Sequence, residues 1–203
     1  MSAPVSNQVG NLGQSVAVLD VSVSPDGQIG SSQFLDAVNS LLLVFDTVES
    51  DVLEGGRNSC EENASKIRNA MQSLPGQAAY IQTLIQAERA TGQHEATEAL
   101  LWLTRGLEFY VASVRRIANN TSEKLSDSIM SAYKDTLKKH HGFVAKTAIK
   151  VAVSKTCPTR DALLRKLGQD PTLVVNALQA SATSFERVLH VLAPFLARSD
   201  IKF

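Results

Sequence analysis

A chain of 203 residues fits one domain and is long enough to bury a sizeable core. Apolar residues make up 44% and charged residues 20%, the balance of a globular protein and not of a disordered one. Twenty Lys and Arg offset twenty Asp and Glu, which argues against nucleic-acid binding through a broad basic field. The first 30 residues are rich in Ser, Val and Gly, lack the basic and apolar regions of a signal peptide, and alternate briefly at "VAVLDVSVS". We read residues 1–30 as a variable segment and 31–203 as the functional domain. From Ser31 the apolar spacing is helical through Phe34, Val38, Leu41, Leu42 and Phe45, and a stop is expected at Gly55-Gly56. A second helix is expected over 58–74, closed by Pro75-Gly76, a third over 77–90, and a fourth over 95–118. "TSEKLSDSIMSAYKDTLKK" begins with a Thr N-cap signal, with Glu123 nearby. A helix over 144–155, a short one opening on "TRDALLRKL" and a last one from Pro171 to about Ala197 complete the chain, with Pro194 expected to kink or shorten the last. Seven or eight helices and no convincing sheet predict an all-α fold, and no stretch approaches the roughly 18 uncharged apolar residues of a membrane span.

Cys60 and Cys157 are too few for a disulfide framework and share no metal-ligand spacing, so they read as reduced thiols of a cytoplasmic protein with neither metal nor cofactor. The informative part is the fourth helix, apolar over most of its circumference and so expected at the middle of the domain. Leu100, Leu103, Leu107 and Val114 form one core stripe. Trp102, the only tryptophan, heads a second face. At about 100° per residue, Glu98 and Arg105 lie within roughly 60° of it on one side and Gly106 about 40° away on the other. A large aromatic with polar neighbours and a gap where a side chain is missing reads as the floor of a binding site. On the second helix Ser59, Glu62, Asn63 and Lys66 share an arc of about 100°. A hydroxyl, a carboxylate, an amide and an ammonium there suit a ligand rich in hydroxyls or bearing an anion, although a solvated helix face has the same pattern. "LKKHHGF" sets His140 and His141 before Gly142.

Taken together, "ENASKI", "WLTRGL" and "LKKHHGF", in helices of this order, resemble the glycolipid transfer protein family over about residues 30–195. The resemblance implies a two-layer helical sandwich of about eight helices that holds a sphingolipid headgroup at its surface and sheathes the ceramide chains in an apolar tunnel. It implies intermembrane transfer of a glycosphingolipid without covalent chemistry, by a monomer that touches membranes transiently from the cytosolic side and binds no nucleic acid. By the same resemblance Asn63 and Lys66 hydrogen-bond the sugar, Trp102 stacks under it beside Arg105, and His141 binds the ceramide amide group. Phe143 takes the place of the membrane-entering aromatic, and Lys138, Lys139 and Lys146 surround it as a docking patch.

This chain departs from the family pattern in three places. Ser59 stands where the family has the Asp that accepts from the ceramide N–H, so a charge-assisted contact is replaced by a neutral one. Glu98 stands four before the tryptophan, where an apolar residue is usual, and the C-terminal aromatic contact is left to Phe203 alone. These leave the headgroup open, and sulfated or phosphorylated sphingolipids remain an alternative to a neutral sugar. A sensor or scaffold that binds without transferring shares all these residues. An enzyme is disfavoured because no Gly-x-Ser-x-Gly turn presents a nucleophile and Ser59 lies within a helix.

Overall fold

The computed structural model describes residues 23–48 and 51–202. Among them lie eight α-helices and, in place of any sheet, two isolated bridges, Val23 to Ile29 and Gly30 to Tyr80. The helices are α1 Ser31–Val48, α2 Asp51–Ser73, α3 Ile81–Ala90, α4 Glu95–Asn119, α5 Leu125–Asp135, α6 Phe143–Thr156, α7 Arg160–Leu167 and α8 Pro171–Leu196. The all-α expectation holds. The alternation at 16–24 falls, apart from its last two residues, outside the described residues, as does Phe203.

Three boundaries differ from those read in the sequence. Gly55 and Gly56 do not end a helix; they lie inside α2, and a Cβ built on either would meet nothing within 4 Å. Their propensity cost is tolerated because α2 is fixed by its partners: Arg57 pairs with Asp46 of α1 and, one turn on, with Glu61 at 2.6 Å. The third helix begins at Ile81, since Pro75–Gln77 form a separate 3-10 turn. The fifth begins at Leu125 with Lys124 at the N-cap, so Thr121 caps nothing, and Glu123 accepts from Ser128 at 2.6 Å. At the other end, α8 runs to Leu196 with Pro194 inside its final turn.

The central helix is α4, which packs against α2, α8, α5 and α3. Its stripe of Leu100, Leu103, Leu107 and Val114 is buried against a core that includes Phe34, Ile67 and Phe185. No residue next to its N-terminus caps it. Glu88 of α3 reaches across instead, accepting from Ala96 N at 2.6 Å, Thr97 N at 2.8 Å and Thr97 Oγ1 at 2.6 Å. A buried carboxylate there satisfies amides that would otherwise be orphaned and complements the helix dipole. The other ties are polar: Tyr110 and Arg115 reach α8 through Ser181 and Glu186, and Arg116 reaches Asp135 of α5. Thus α4 is held in register on three sides, and the face carrying Trp102 is rigidly placed.

Candidate functional site

Along the Trp102 face of α4 the helices do not close. A cavity of about 490 Å³ runs between α4, α2, α5 and α6. Trp102, Asn63, Ser59 and His141 stand on its wall together with Gly106, and the rest is largely apolar, passing Phe109, Val114 and Ile149 toward Leu163 and Leu178. The gap at Gly106 is real: a Cβ there would find only the Cys60 sulfur, at 3.9 Å. A second cavity of about 280 Å³ is lined by Thr97, Glu98, Leu101, Arg105, Leu196, Ile201 and Lys202. Trp102 lines both. The indole is therefore a partition between an apolar cavity and a smaller, charged one.

The polar groups at this partition are individually positioned. Asn63 is only 8% exposed, and its Nδ2 donates to the Ser59 carbonyl at 2.8 Å, with the Ser59 hydroxyl at 3.4 Å. One amide hydrogen is thus spent on the helix, which leaves the second hydrogen and Oδ1 for a ligand. The Lys66 ammonium meets Glu62 at 2.8 Å; that pairing, with Glu95 and Glu98 further off, raises its pKa. Glu62 is thus paired with Lys66 one turn on.

His141 stacks on Trp102, with ring centroids 5.9 Å apart and planes at 26°, and its Nδ1 lies 3.1 Å from the Tyr133 hydroxyl. Burial, with Lys146 and Arg105 adding repulsion, holds the imidazole below its ordinary pKa of 6.5. It is neutral at pH 7. When Nδ1 accepts from Tyr133, the ring proton sits on Nε2 and leaves a donor for a carbonyl. Arg105 also lies on the tryptophan, its guanidinium carbon 4.8 Å from the ring centroid.

The expected residues divide into three groups. Ser59, Asn63, Trp102 and His141 share the large cavity; Glu98, Trp102 and Arg105 share the small one; Lys66 lines neither and pairs with Glu62. Lys138 and Lys139 are exposed and Lys146 is half-buried. Phe143 is 83% exposed at the first turn of α6, and Val144 beside it is 81% exposed. Sequence reasoning missed Val144, Tyr133 and Lys202. Val144 was legible as an apolar residue next to Phe143. Tyr133 and Lys202 were not, because only the packing of α5 and of the C-terminus brings them to the site.

Several comparisons bear on this arrangement. The family model described as Glycolipid transfer protein (GLTP) matches residues 29–169. The chain is 36% identical over 177 residues to the glycolipid transfer protein of Aureobasidium melanogenum, covering 87% of this chain and 88% of that one. With the glycolipid transfer protein of Xenopus tropicalis the identity is 29% over 158 residues, covering 73% and 75%. Among solved structures, the fungal glycolipid transfer protein HET-C2 superposes with a TM-score of 0.85 at 32% identity, covering 92% of this chain and 95% of that one. Mouse ceramide-1-phosphate transfer protein in its apo form superposes at 0.86 over 95% and 98%, and at 15% identity shows the fold alone. A charged floor opening on an apolar cavity, the three motifs that frame it and these matches agree: the chain belongs to the glycolipid transfer protein family.

Proposed function

We propose that this protein binds a glycosphingolipid and carries it between membranes as a monomer, without chemical change. The observation that carries the reading is Trp102 as the shared wall of the two cavities. A sugar has an apolar face suited to an indole and a hydroxyl edge suited to Asn63 and Lys66, while ceramide chains fit the apolar cavity beyond. In this arrangement Asn63 and Lys66 hold hydroxyls, His141 donates to the amide carbonyl and Ser59 accepts weakly from the amide N–H. Glu98, Arg105 and Lys202 face the outer part of the headgroup. The transfer domain is residues 31–203, with 1–30 variable.

Docking is assigned to the start of α6. Phe143 and Val144 project from it as adjacent exposed apolar side chains, with Lys138, Lys139 and Lys146 within three to five residues in sequence. Aromatic insertion among cations gives shallow, reversible attachment to an anionic surface, such as the cytosolic face of a membrane. No helix among the described residues is long and apolar enough to cross the bilayer, so a surface contact is the mode this reading requires. One observation favours a second reading, an anionic headgroup. Arg105 has its guanidinium on the indole and forms no ion pair among the described residues, and the chain lacks a repelling Asp at position 59.

The deciding experiment is vesicle-to-vesicle transfer of fluorescent monohexosylceramide, sulfated monohexosylceramide and ceramide phosphate, beside mass spectrometry of the co-purified lipid. Transfer of the neutral glycolipid supports the reading. Binding without transfer would identify a sensor. Faster movement of the charged lipids would move the assignment to them.

A further inference from the structure

Gly55 and Gly56 are adjacent inside α2, and neither has a backbone conformation that calls for glycine; the positive-φ glycines among the described residues are Gly27 and Gly92. No neighbour excludes a side chain either, since a Cβ on each would meet nothing within 4 Å among the described residues. Alanine would favour the helix at both places. Both glycines are exposed and both line the large cavity, so what their missing side chains leave is cavity space. The register of the two walls places that space. Lys66 of α2 is within electrostatic reach of Glu95 and Glu98 at the start of α4, and Cys60 faces Gly106, so the two helices run in opposite directions. One turn further on, Gly55 and Gly56 come level with Phe109 and Tyr110, the bulkiest part of the α4 wall below Trp102. Tyr110 is anchored there, its hydroxyl 2.6 Å from Ser181 Oγ of α8. The cavity therefore has no side chain on one wall where the other carries two rings.

Resting on the lipid-cavity reading above, we propose that Gly55 and Gly56 widen the cavity at this level so that both hydrocarbon chains of one lipid pass side by side. Gly56 and Gly55 lie seven and eight residues before Asn63. At 1.5 Å per residue that is about 10 and 12 Å along the helix. An extended chain advances about 1.2 Å per bond, since three bonds span about 3.5 Å. The glycines thus meet a chain about nine to ten bonds below the headgroup. A lipid presents double width there only when both of its chains are that long. A methyl group on each glycine would fill part of the gap opposite Phe109 and Tyr110, and closely packed walls yield little. The residues at the mouth set which headgroup is recognised, and the two glycines set the bulk of the chains admitted behind it.

The test uses the full chain and two monohexosylceramides that share headgroup and sphingoid base. One carries a C18 acyl chain and the other an acetyl group, which ends well above the glycines. Each is titrated into wild type and into the double variant Gly55→Ala/Gly56→Ala, followed by the emission of Trp102, the only tryptophan. The variant should melt higher, by about 2–4 °C for each alanine, because the helix gains and no contact is lost. Its affinity for the C18 lipid should fall at least about fivefold, the lower end of what overpacking costs. Its affinity for the acetyl lipid should change less than about twofold. Gly56→Leu should widen the difference between the two lipids. An unchanged affinity for the C18 lipid would overturn the proposal, as would a lower melting temperature. Equal losses for both lipids would also overturn it, and would make the glycines a flexible point of α2 instead. Failure of wild type to bind either lipid would overturn the lipid-cavity reading beneath it, an outcome distinct from all of these.

Discussion

Trp102 and His141 lie ring against ring, 5.9 Å between centroids, although 39 positions in the sequence separate them. That contact joins α4 to the segment before α6, and it sets side by side the two rings proposed above as stacking surface and carbonyl donor. Because the indole is half-buried and lines two cavities, its removal should empty the site more than it weakens the fold. Trp102→Ala should keep its helical circular dichroism and melt cooperatively while losing glycolipid transfer. Normal transfer by the folded mutant would refute the stacking role. Loss of the fold would show instead that the indole is core, where truncation costs about 3–5 kcal/mol.

The imidazole gives the site a direction of pH dependence. Burial keeps His141 neutral below its ordinary pKa, and His140 beside it is lowered in the same way, with Arg105 contributing repulsion to both. In the unfolded chain both histidines take up protons at pH 6.5, before they do in the folded protein. The stability they contribute is present above pH 6.5 and is lost on acidification through the lowered folded values. Protonation also removes the Nδ1 acceptor for Tyr133 and places a cation beside Arg105 and Lys146. Glycolipid affinity should be flat from pH 7 to 8 and fall on acidification below the ordinary imidazole range. In His141→Gln the slope should become shallower, with a lower affinity throughout. An unchanged slope in that variant would assign the dependence to His140.

Much of this site was legible in the sequence because its main parts are helical and local. The spacing of Ser59, Asn63 and Lys66 and of Glu98, Trp102 and Arg105 fixes which side chains share a face, and α2 and α4 place them there. What the sequence withheld depends on packing between elements. Gly55-Gly56 read as a stop because propensity favours one, yet Arg57 and its partners hold α2 through them. Tyr133 became visible only when α5 brought it to His141. Lys66 was read on one face with Glu62, and the two pair at 2.8 Å.

That engagement ranks the headgroup residues. Asn63 is buried on the cavity wall with amide capacity to spare, whereas Lys66 lines neither cavity and already shares its charge with Glu62. Asn63→Ile should therefore weaken glycolipid binding more than Lys66→Ala, since each sugar hydroxyl left unpaired costs about 1–3 kcal/mol. Titration of both variants with the same short-chain glycosylceramide tests the order. Equal, negligible losses would mean that this face of α2 only meets solvent.

Phe143 and Val144 should affect membrane contact and not ligand affinity, because both project from the start of α6 and neither lines either of the two cavities described above. Replacing both with Ala should lower association with anionic vesicles and slow transfer while leaving binding of a water-soluble short-chain glycolipid intact. With Lys138 and Lys139 in the proposed docking patch, the residual association of the double variant should be more sensitive to salt than that of wild type. If binding of the soluble lipid falls in parallel, the two residues belong to the ligand site.

Ser59 is where the headgroup preference of this chain should be adjustable. It is exposed, lines the cavity mouth and stands one turn before Asn63, close enough for its hydroxyl to lie 3.4 Å from the Asn63 amide nitrogen. A carboxylate in its place would accept from both the Asn63 amide and a ceramide N–H, and the second contact would become charge-assisted. Glu62, one turn on, pairs with Lys66. Ser59→Asp should tighten binding of a neutral monohexosylceramide by about 1–2 kcal/mol, the difference between neutral and charge-assisted hydrogen bonds. The same charge should oppose a sulfate or phosphate near Arg105, so the variant should lose affinity for sulfated lipid as it gains affinity for the neutral one. Competition between neutral and sulfated glycolipids for the two proteins reads both changes at once. A preference unmoved by the substitution would show that the ligand amide does not approach residue 59.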